Sequence, residues 1–253
     1  MTQRLRSVLF APGNKPELLE KFSKIQPDAA IVDLEDAVPD DQKNIAREHL
    51  QKFISNGVSE KFSLFTRVNS LSSKHFELDI QAVPPVVTAV VIPKISGVGE
   101  LREAQNILSK YSISAGIIVG IETVQGIVSA SEILGNASVI AAYFGAEDYV
   151  LDLGGIRTKG NDEVFLARSQ MGIASRLTGV PVIDQIVADF SDSERFVKEA
   201  EQSRAMGFSG KLCIHPSQVS LANQSFSYSA DEITRAEELL AVYDHAVSQG
   251  SAS

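Results

Sequence analysis

Ala29-Ala30-Ile31-Val32-Asp33-Leu34-Glu35-Asp36 is a short apolar, β-branched run that ends in carboxylates, and residues 40–55 behind it carry the spacing of an amphipathic helix. A strand that is apolar on both faces belongs in a parallel sheet covered by helices, because a solvated face would show strict alternation. The same unit recurs along the chain. Runs at 7–12, 62–68, 89–93, 115–121, 139–144, 181–186 and 210–214 join 29–34 to make eight. Helical patterns at 15–25, 40–55, 74–81, 99–109, 124–134, 162–177, 191–206 and 231–247 follow them one for one. Eight such units in 253 residues fit a closed α/β barrel, the (β/α)8 TIM barrel, and no Gly-x-Gly-x-x-Gly signature argues for an open doubly wound sheet. Without a linker or low-complexity segment, residues 1–253 read as a single domain with a short C-terminal region, its final helix at about 231–247. Pro16 suits a first helical turn, Ser191 and Glu194 have capping-box spacing, and Gly207 stands where a C′ glycine follows the seventh helix. The glycine-bearing stretch 149–161 reads as a lid loop over the C-terminal ends of the strands.

Composition narrows the function classes. The chain is 44% hydrophobic and 22% charged, which is ordinary for a globular protein. Lys and Arg total 23 against 32 Asp and Glu, a net charge of −9 that is the wrong sign for a nucleic-acid binder. Cys213 is the single cysteine, so no internal disulfide points to an oxidising compartment. The N-terminal residues lack a signal-peptide core, and the apolar stretch 133–146 is too short to span a bilayer. The expectation is a cytoplasmic protein with no membrane attachment.

Barrel chemistry happens at the C-terminal strand ends, and polar residues close nearly all of them. They are Asn14 and Lys15, then Asp33, Glu35 and Asp36, then Arg67 and Asn69, then Lys94, Glu122, Glu147 with Asp148, Asp184 with Gln185, and His215. Isolated carboxylates near a core are costly, but several converging on one point can share a hard divalent cation, Mg2+ or Mn2+. Zinc fits less well, since His49, His75, His215 and His245 are scattered and only His215 ends a strand. His49 reads as a surface residue, and Cys213, inside strand eight, as a buried and inert thiol.

Seven segments in order, 7–13 (Ser-Val-Leu-Phe-Ala-Pro-Gly), 32–38 (Val-Asp-Leu-Glu-Asp-Ala-Val), 67–69 (Arg-Val-Asn), 92–94 (Ile-Pro-Lys), 121–123 (Ile-Glu-Thr), 144–148 (Phe-Gly-Ala-Glu-Asp) and 213–216 (Cys-Ile-His-Pro), resemble the citrate lyase beta-subunit-like family. That family includes malyl-CoA and citramalyl-CoA lyases, within the metal-dependent 2-oxo acid aldolases. The resemblance implies a Mg2+-dependent carbon–carbon lyase that cleaves or forms a 3-hydroxyacyl-CoA, giving an acyl-CoA and a 2-oxo acid. It implies that Glu122 and Asp148 bind Mg2+ and that Arg67 grips the carboxylate of the small oxo or hydroxy acid. It also implies that Phe10, Lys15 and Lys21 contact the acyl-CoA, and that Glu147 and the Ile214–His215 backbone lie near the substrate. Barrels of this family commonly form trimers or hexamers, so a homo-oligomer is expected.

The residue types suit such chemistry. Cleavage leaves negative charge on an enolate, which a cation can stabilise, and a planar guanidinium can hold a carboxylate bidentately. Arg67, Glu35 and Asp36 are the candidate catalytic residues, with Asp33 and Asp36 placed either to orient Arg67 or to cap the next helix. Glu122 and Asp148 could instead be ion-pair partners of Lys94 and Arg67. Larger relatives carry an acidic residue on a C-terminal extension over a neighbouring subunit's site, whereas this chain reads as ending soon after its eighth helix. Competing readings are an aldolase or oxaloacetate decarboxylase acting on free acids, and a non-catalytic 2-oxo acid sensor.

Overall fold

The computed structural model describes residues 4–57 and 59–248. Eight parallel strands, β1 (Ser7–Pro12), β2 (Ala29–Asp33), β3 (Ser63–Arg67), β4 (Ala89–Ile92), β5 (Gly116–Ile121), β6 (Val139–Phe144), β7 (Val182–Asp184) and β8 (Gly210–Cys213), close in sequence order into a barrel, with β8 pairing β1. The period-2 alternation of strands sorts their side chains into two cores. Ala29, Ile31, Phe65, Val91, Ile118 and Ile183 fill the interior, while Ala30, Val32, Leu64, Val90, Val119 and Val182 face the helical layer. Each fully buried Ile or Phe contributes about 1.5–3 kcal/mol relative to exposure. Continuing the inward rows upward reaches Asp33 and Glu35 above Ile31, Arg67 above Phe65, and Glu122 above Ile118. Period alone therefore delivers these polar groups to the barrel mouth.

The helices depart from expectation in five places. The pattern at 15–25 forms two short turns, α1 (Pro16–Leu19) and α2 (Phe22–Ile25), followed by α3 (Lys43–Ser55), α4 (Phe76–Ala82) and α5 (Val98–Lys110). The pattern at 124–134 likewise splits into α6 (Val124–Val128) and α7 (Ala130–Leu134). The first five residues of the expected lid, 149–153, belong to a helix, α8 (Ala146–Leu153), which Gly154 ends in a left-handed conformation at φ 73°. Beyond α9 (Phe165–Thr178), α10 (Ser193–Ala205) is capped by Asp192, whose side chain accepts from Arg195 N, and not by Ser191. The eighth barrel helix is α11 (Pro216–Ser225), which buries Gln218, Val219 and Ala222, whereas α12 (Ala230–Ser248), read from sequence as that helix, buries no residue.

Asp184 does not face the mouth. It points outward beneath α9 and α10, where Arg168 grips it through two 3.0 Å hydrogen bonds and Lys211 Nζ lies 2.8 Å away. All three are fully buried, so this ion cluster ties β7 and β8 to the helical layer, and removing one member would strand an uncompensated charge. His49 is half-buried rather than a free surface residue, its Nδ1 3.2 Å from Gly13 O. Cys213 is buried as expected, and burial pushes its thiol up to about 12.

Candidate active site

Asp33, the last residue of β2, organises one side of the mouth. Its carboxylate accepts Glu35 N at 2.9 Å and Ala37 N at 3.1 Å, folding the chain back so that Glu35 also turns inward. The same two oxygens take Arg67 Nε and Nη2, both at 2.7 Å. Arg67 thus spends its bidentate edge on Asp33, not on a ligand as expected from sequence, and only Nη1 remains on the site side. Nη1 is 3.1 Å from Glu35 Oε2 and 3.5 Å from Asp36 Oδ2. The Phe10 ring supports the guanidinium from β1, 4.9 Å from Cζ. Burial pushes the Asp33 carboxyl up, but the Arg67 charge and hydrogen bonds outweigh it and hold the group below the usual carboxylate range.

The loop after β2 is fixed by Asn69, expected at the end of β3, and by Lys43, Arg47 and Asp79, for which there was no expectation from sequence. Lys43 Nζ donates to Leu34 O and Glu35 O, both at 2.7 Å, and Asn69 Nδ2 donates to Leu34 O at 2.8 Å. Asp79 in α4 accepts from Asn69 N at 2.8 Å and from Arg47 Nη1 at 2.6 Å, tying this loop to α3. The available signal was Lys43 following the acidic loop at the start of a helix, where a lysine can reach back to open carbonyls.

Lys94 follows β4 with a left-handed backbone, φ 58°, a conformation that costs a non-glycine residue about 1–2 kcal/mol. Its ammonium sits among three carboxylates, 3.0 Å from Glu35 Oε1 and 3.7 Å from both Asp36 Oδ1 and Asp148 Oδ2. Glu122 directly follows β5 and precedes Thr123, which caps α6 by accepting Gly126 N at 3.0 Å. Glu122 is 2% exposed, and its Oε1 accepts a hydrogen bond from the buried Tyr143 hydroxyl. Asp148 occupies the first turn of α8, where the helix dipole favours a carboxylate.

Five carboxyl groups, Asp33, Glu35, Asp36, Glu122 and Asp148, therefore gather around two cations, Arg67 and Lys94. The surplus is felt electrostatically. Burial, then the neighbouring Glu35 charge, pushes Glu122 up to about 8. Burial, together with Asp36, pushes Glu35 up to about 7 against the pull of Arg67 and Lys94. Glu35 Oε2 is buried without a hydrogen-bond partner, and Glu122 Oε2 accepts none among the described residues. An oxygen-only donor set with excess negative charge fits a hard divalent cation. Among the described residues no three His, Cys, Asp or Glu side chains form a ready-made cage, so two carboxylates would leave most positions to water and ligand.

The remaining candidate residues are Glu147, Ile214, His215, Lys15 and Lys21. Glu147 is exposed and paired with Arg157 Nε at 2.9 Å, which fastens the loop 154–161 to α8. In the Ile214–His215 backbone, expected near the substrate, both amides donate to Gln218 Oε1, at 2.8 and 3.3 Å. The His215 side chain caps α11, its Nδ1 accepting Ser217 N at 3.2 Å, and its ring stacks on Phe190 with centroids 4.5 Å apart. Lys15 and Lys21 are exposed and have no ion-pair partner among the described residues.

Residues 6–216 match the sequence profile of a family described as HpcH/HpaI aldolase/citrate lyase. A citrate lyase subunit beta-like protein of Deinococcus radiodurans is 44% identical over 242 residues, 93% of this chain and 84% of that protein. A mitochondrial citramalyl-CoA lyase of Mus musculus is 28% identical over 94% of this chain and 76% of its own length. A Mycobacterium tuberculosis protein CitE, solved with magnesium, acetoacetate and coenzyme A, superposes with a TM-score of 0.82 at 27% identity, covering 97% of this chain and 89% of that one.

Proposed function

Because the chain belongs to the HpcH/HpaI aldolase/citrate lyase family, we propose that it is a Mg2+-dependent carbon–carbon lyase acting on a 3-hydroxyacyl-CoA of the malyl-, citramalyl- or citryl-CoA type. The observation that carries this reading is the excess of carboxylates at the mouth, with Glu122 and Glu35 pushed up to about 8 and about 7. Glu122 and Asp148 are the residues that would hold the cation. When bound, it supplies a fixed positive charge beside the breaking bond, where enolate charge develops.

The protein's own groups do the rest. Arg67, locked by Asp33, directs Nη1 at the substrate carboxylate. Glu35 Oε2, buried and ion-paired to Arg67 Nη1 at 3.1 Å but not hydrogen-bonded, takes the proton of the substrate hydroxyl as the carbonyl forms, and a group held near neutrality suits that exchange. Asp36 and Lys94 set the charge around it. Lys15 and Lys21, exposed beyond β1, meet the phosphates of the CoA, and Phe10 and Ile214 offer apolar contact to the acyl end.

A homo-oligomer, most simply a trimer, fits the apolar surface on the outer helices. Leu166, Ile173 and Leu177 are exposed on α9, as are Leu239, Leu240 and Tyr243 on α12. Exposed apolar faces of this kind mark contact sites. No helix among the described residues is long and apolar enough to cross a membrane, and a cytoplasmic enzyme fits the lone buried Cys213.

The test is a panel of malyl-, citramalyl- and citryl-CoA beside free citramalate and oxaloacetate, with products identified by mass spectrometry. Equal amounts of acyl-CoA and 2-oxo acid are expected. Turnover of free acids alone would replace this reading with an aldolase or decarboxylase, and oxo-acid binding without turnover would leave a sensor.

A further inference from the structure

Tyr143 lies directly beneath Glu122 inside the barrel. It is 3% exposed and belongs to the interior core with Phe65, Val91 and Ile118. Its hydroxyl donates to Glu122 Oε1. The space around this pair is shaped for it by two glycines. Gly120 is the register partner of Tyr143 across β5 and β6, and a Cβ there would lie 2.5 Å from both Glu122 Oε1 and Tyr143 Oη. A Cβ on Gly145 would lie 2.6 Å from Glu122 Cγ. The carboxylate is therefore held from below by a phenol and admitted from both flanks by missing side chains.

The consequence is a division of labour between its two oxygens. Oε1 is committed to Tyr143, which leaves Oε2 as the oxygen open to a cation. We propose that Tyr143 is a positioning residue that fixes Glu122 as a single-oxygen ligand for the divalent cation and thereby sets how tightly the cation binds. This rests on the reading that Glu122 is a metal ligand. Partners behind a ligating side chain orient it, and their loss typically costs about 10–100-fold in metal affinity. A tyrosine that merely filled the core would need a partner for its hydroxyl, but its removal would leave metal affinity alone.

The experiment measures Mn2+ binding to the metal-stripped full-length protein by the electron paramagnetic resonance of free Mn2+, for wild type, Tyr143→Phe and Tyr149→Phe. Phenylalanine keeps the ring and its packing, and Tyr149, in α8, controls for loss of a hydroxyl nearby. Tyr143→Phe is expected to bind about 10–100-fold more weakly and Tyr149→Phe as wild type. Wild-type affinity in Tyr143→Phe would overturn the positioning role while leaving the metal site standing. Absence of Mn2+ binding in wild type would overturn the metal site and the positioning role with it. Should Tyr143→Phe not fold, wild type labelled with carbon-13 at tyrosine Cζ answers instead. Mg2+ must then shift one resonance that persists in Tyr149→Phe, and a spectrum unmoved by saturating Mg2+ overturns the proposal.

Discussion

Arg67 shows what a single side chain can do only with its neighbours. Asp33 takes Nε and Nη2, so the guanidinium plane is set before any ligand arrives and Nη1 is aimed without further loss of freedom. A lysine at this position could pair with Asp33 or reach the site, but not both. Arg67→Lys should therefore weaken binding of pyruvate in the presence of Mg2+ by roughly tenfold to 150-fold, the worth of one charge-assisted hydrogen bond of about 1.5–3 kcal/mol. The rate of thioester cleavage should fall further, because the contact strengthens as charge develops. Calorimetry and steady-state kinetics on the same preparations check this, and unchanged cleavage in the variant would remove Arg67 from the mechanism. The residue types at this site were readable at the strand ends, and the Lys94–Asp148 pair was among the alternatives, but the rest of the pairing was not legible. Sequence spacing could not say that Asp33, rather than a ligand, fills the Arg67 fork, nor that Gln218 would occupy the Ile214 and His215 amides. Tyr143 was within reach, since the alternation of Ala141 and Tyr143 with Ala142 and Phe144 puts the phenol on the inward row below Glu122.

At the scale of elements, the eight strands were legible because each is a short β-branched run buried on both faces. The helices without an expectation begin directly on candidate site residues: α8 starts at Ala146 with Glu147 and Asp148 in its first turn, and α11 starts at Pro216 behind its cap His215. Polar residues in a first turn read locally as loop, although a helix N-terminus is where a carboxylate is most favoured. The pattern at 231–247 predicts the eighth barrel helix, whereas α12 buries no residue. Its apolar residues recur with helical spacing, yet they lie exposed, and at its beginning Arg204 Nη2 meets Glu232 Oε1 at 2.8 Å. Deleting residues 230–253 should therefore leave a barrel that unfolds cooperatively while lowering the mass measured by light scattering at micromolar concentration. An unchanged mass would exclude α12 from the subunit contact, and loss of cooperative unfolding would show that the barrel depends on it.

The whole molecule carries a net charge of −9, and part of that excess converges on the mouth, where it is most expensive. Glu122 and Glu35 hold their protons more tightly in the folded chain than in the unfolded one, at about 8 and about 7 against an ordinary value of 4.5. A carboxyl raised in this way contributes stability that is fully present below its unfolded value and is lost as pH rises through the folded one. The metal-free protein should thus melt at falling temperature from about pH 5 to about pH 8.5. Mg2+ should recover more at the alkaline end, where the cation no longer competes with protons. Scanning calorimetry with and without Mg2+ measures both. Equal stabilisation by Mg2+ at the two ends would contradict the assignment of the surplus charge to a cation site.

The claim on which the rest depends is that this surplus takes one divalent cation and that carbon–carbon cleavage requires it. The direct measurement is a titration of metal-stripped protein with Mn2+ in which bound metal and cleavage of the preferred 3-hydroxyacyl-CoA are followed together, in wild type and in Glu122→Gln. Cleavage should be absent at the start, rise in step with occupancy and level off near one equivalent, and Glu122→Gln should lose both together. Full turnover in the stripped enzyme, or metal bound as tightly in Glu122→Gln as in wild type, would contradict it.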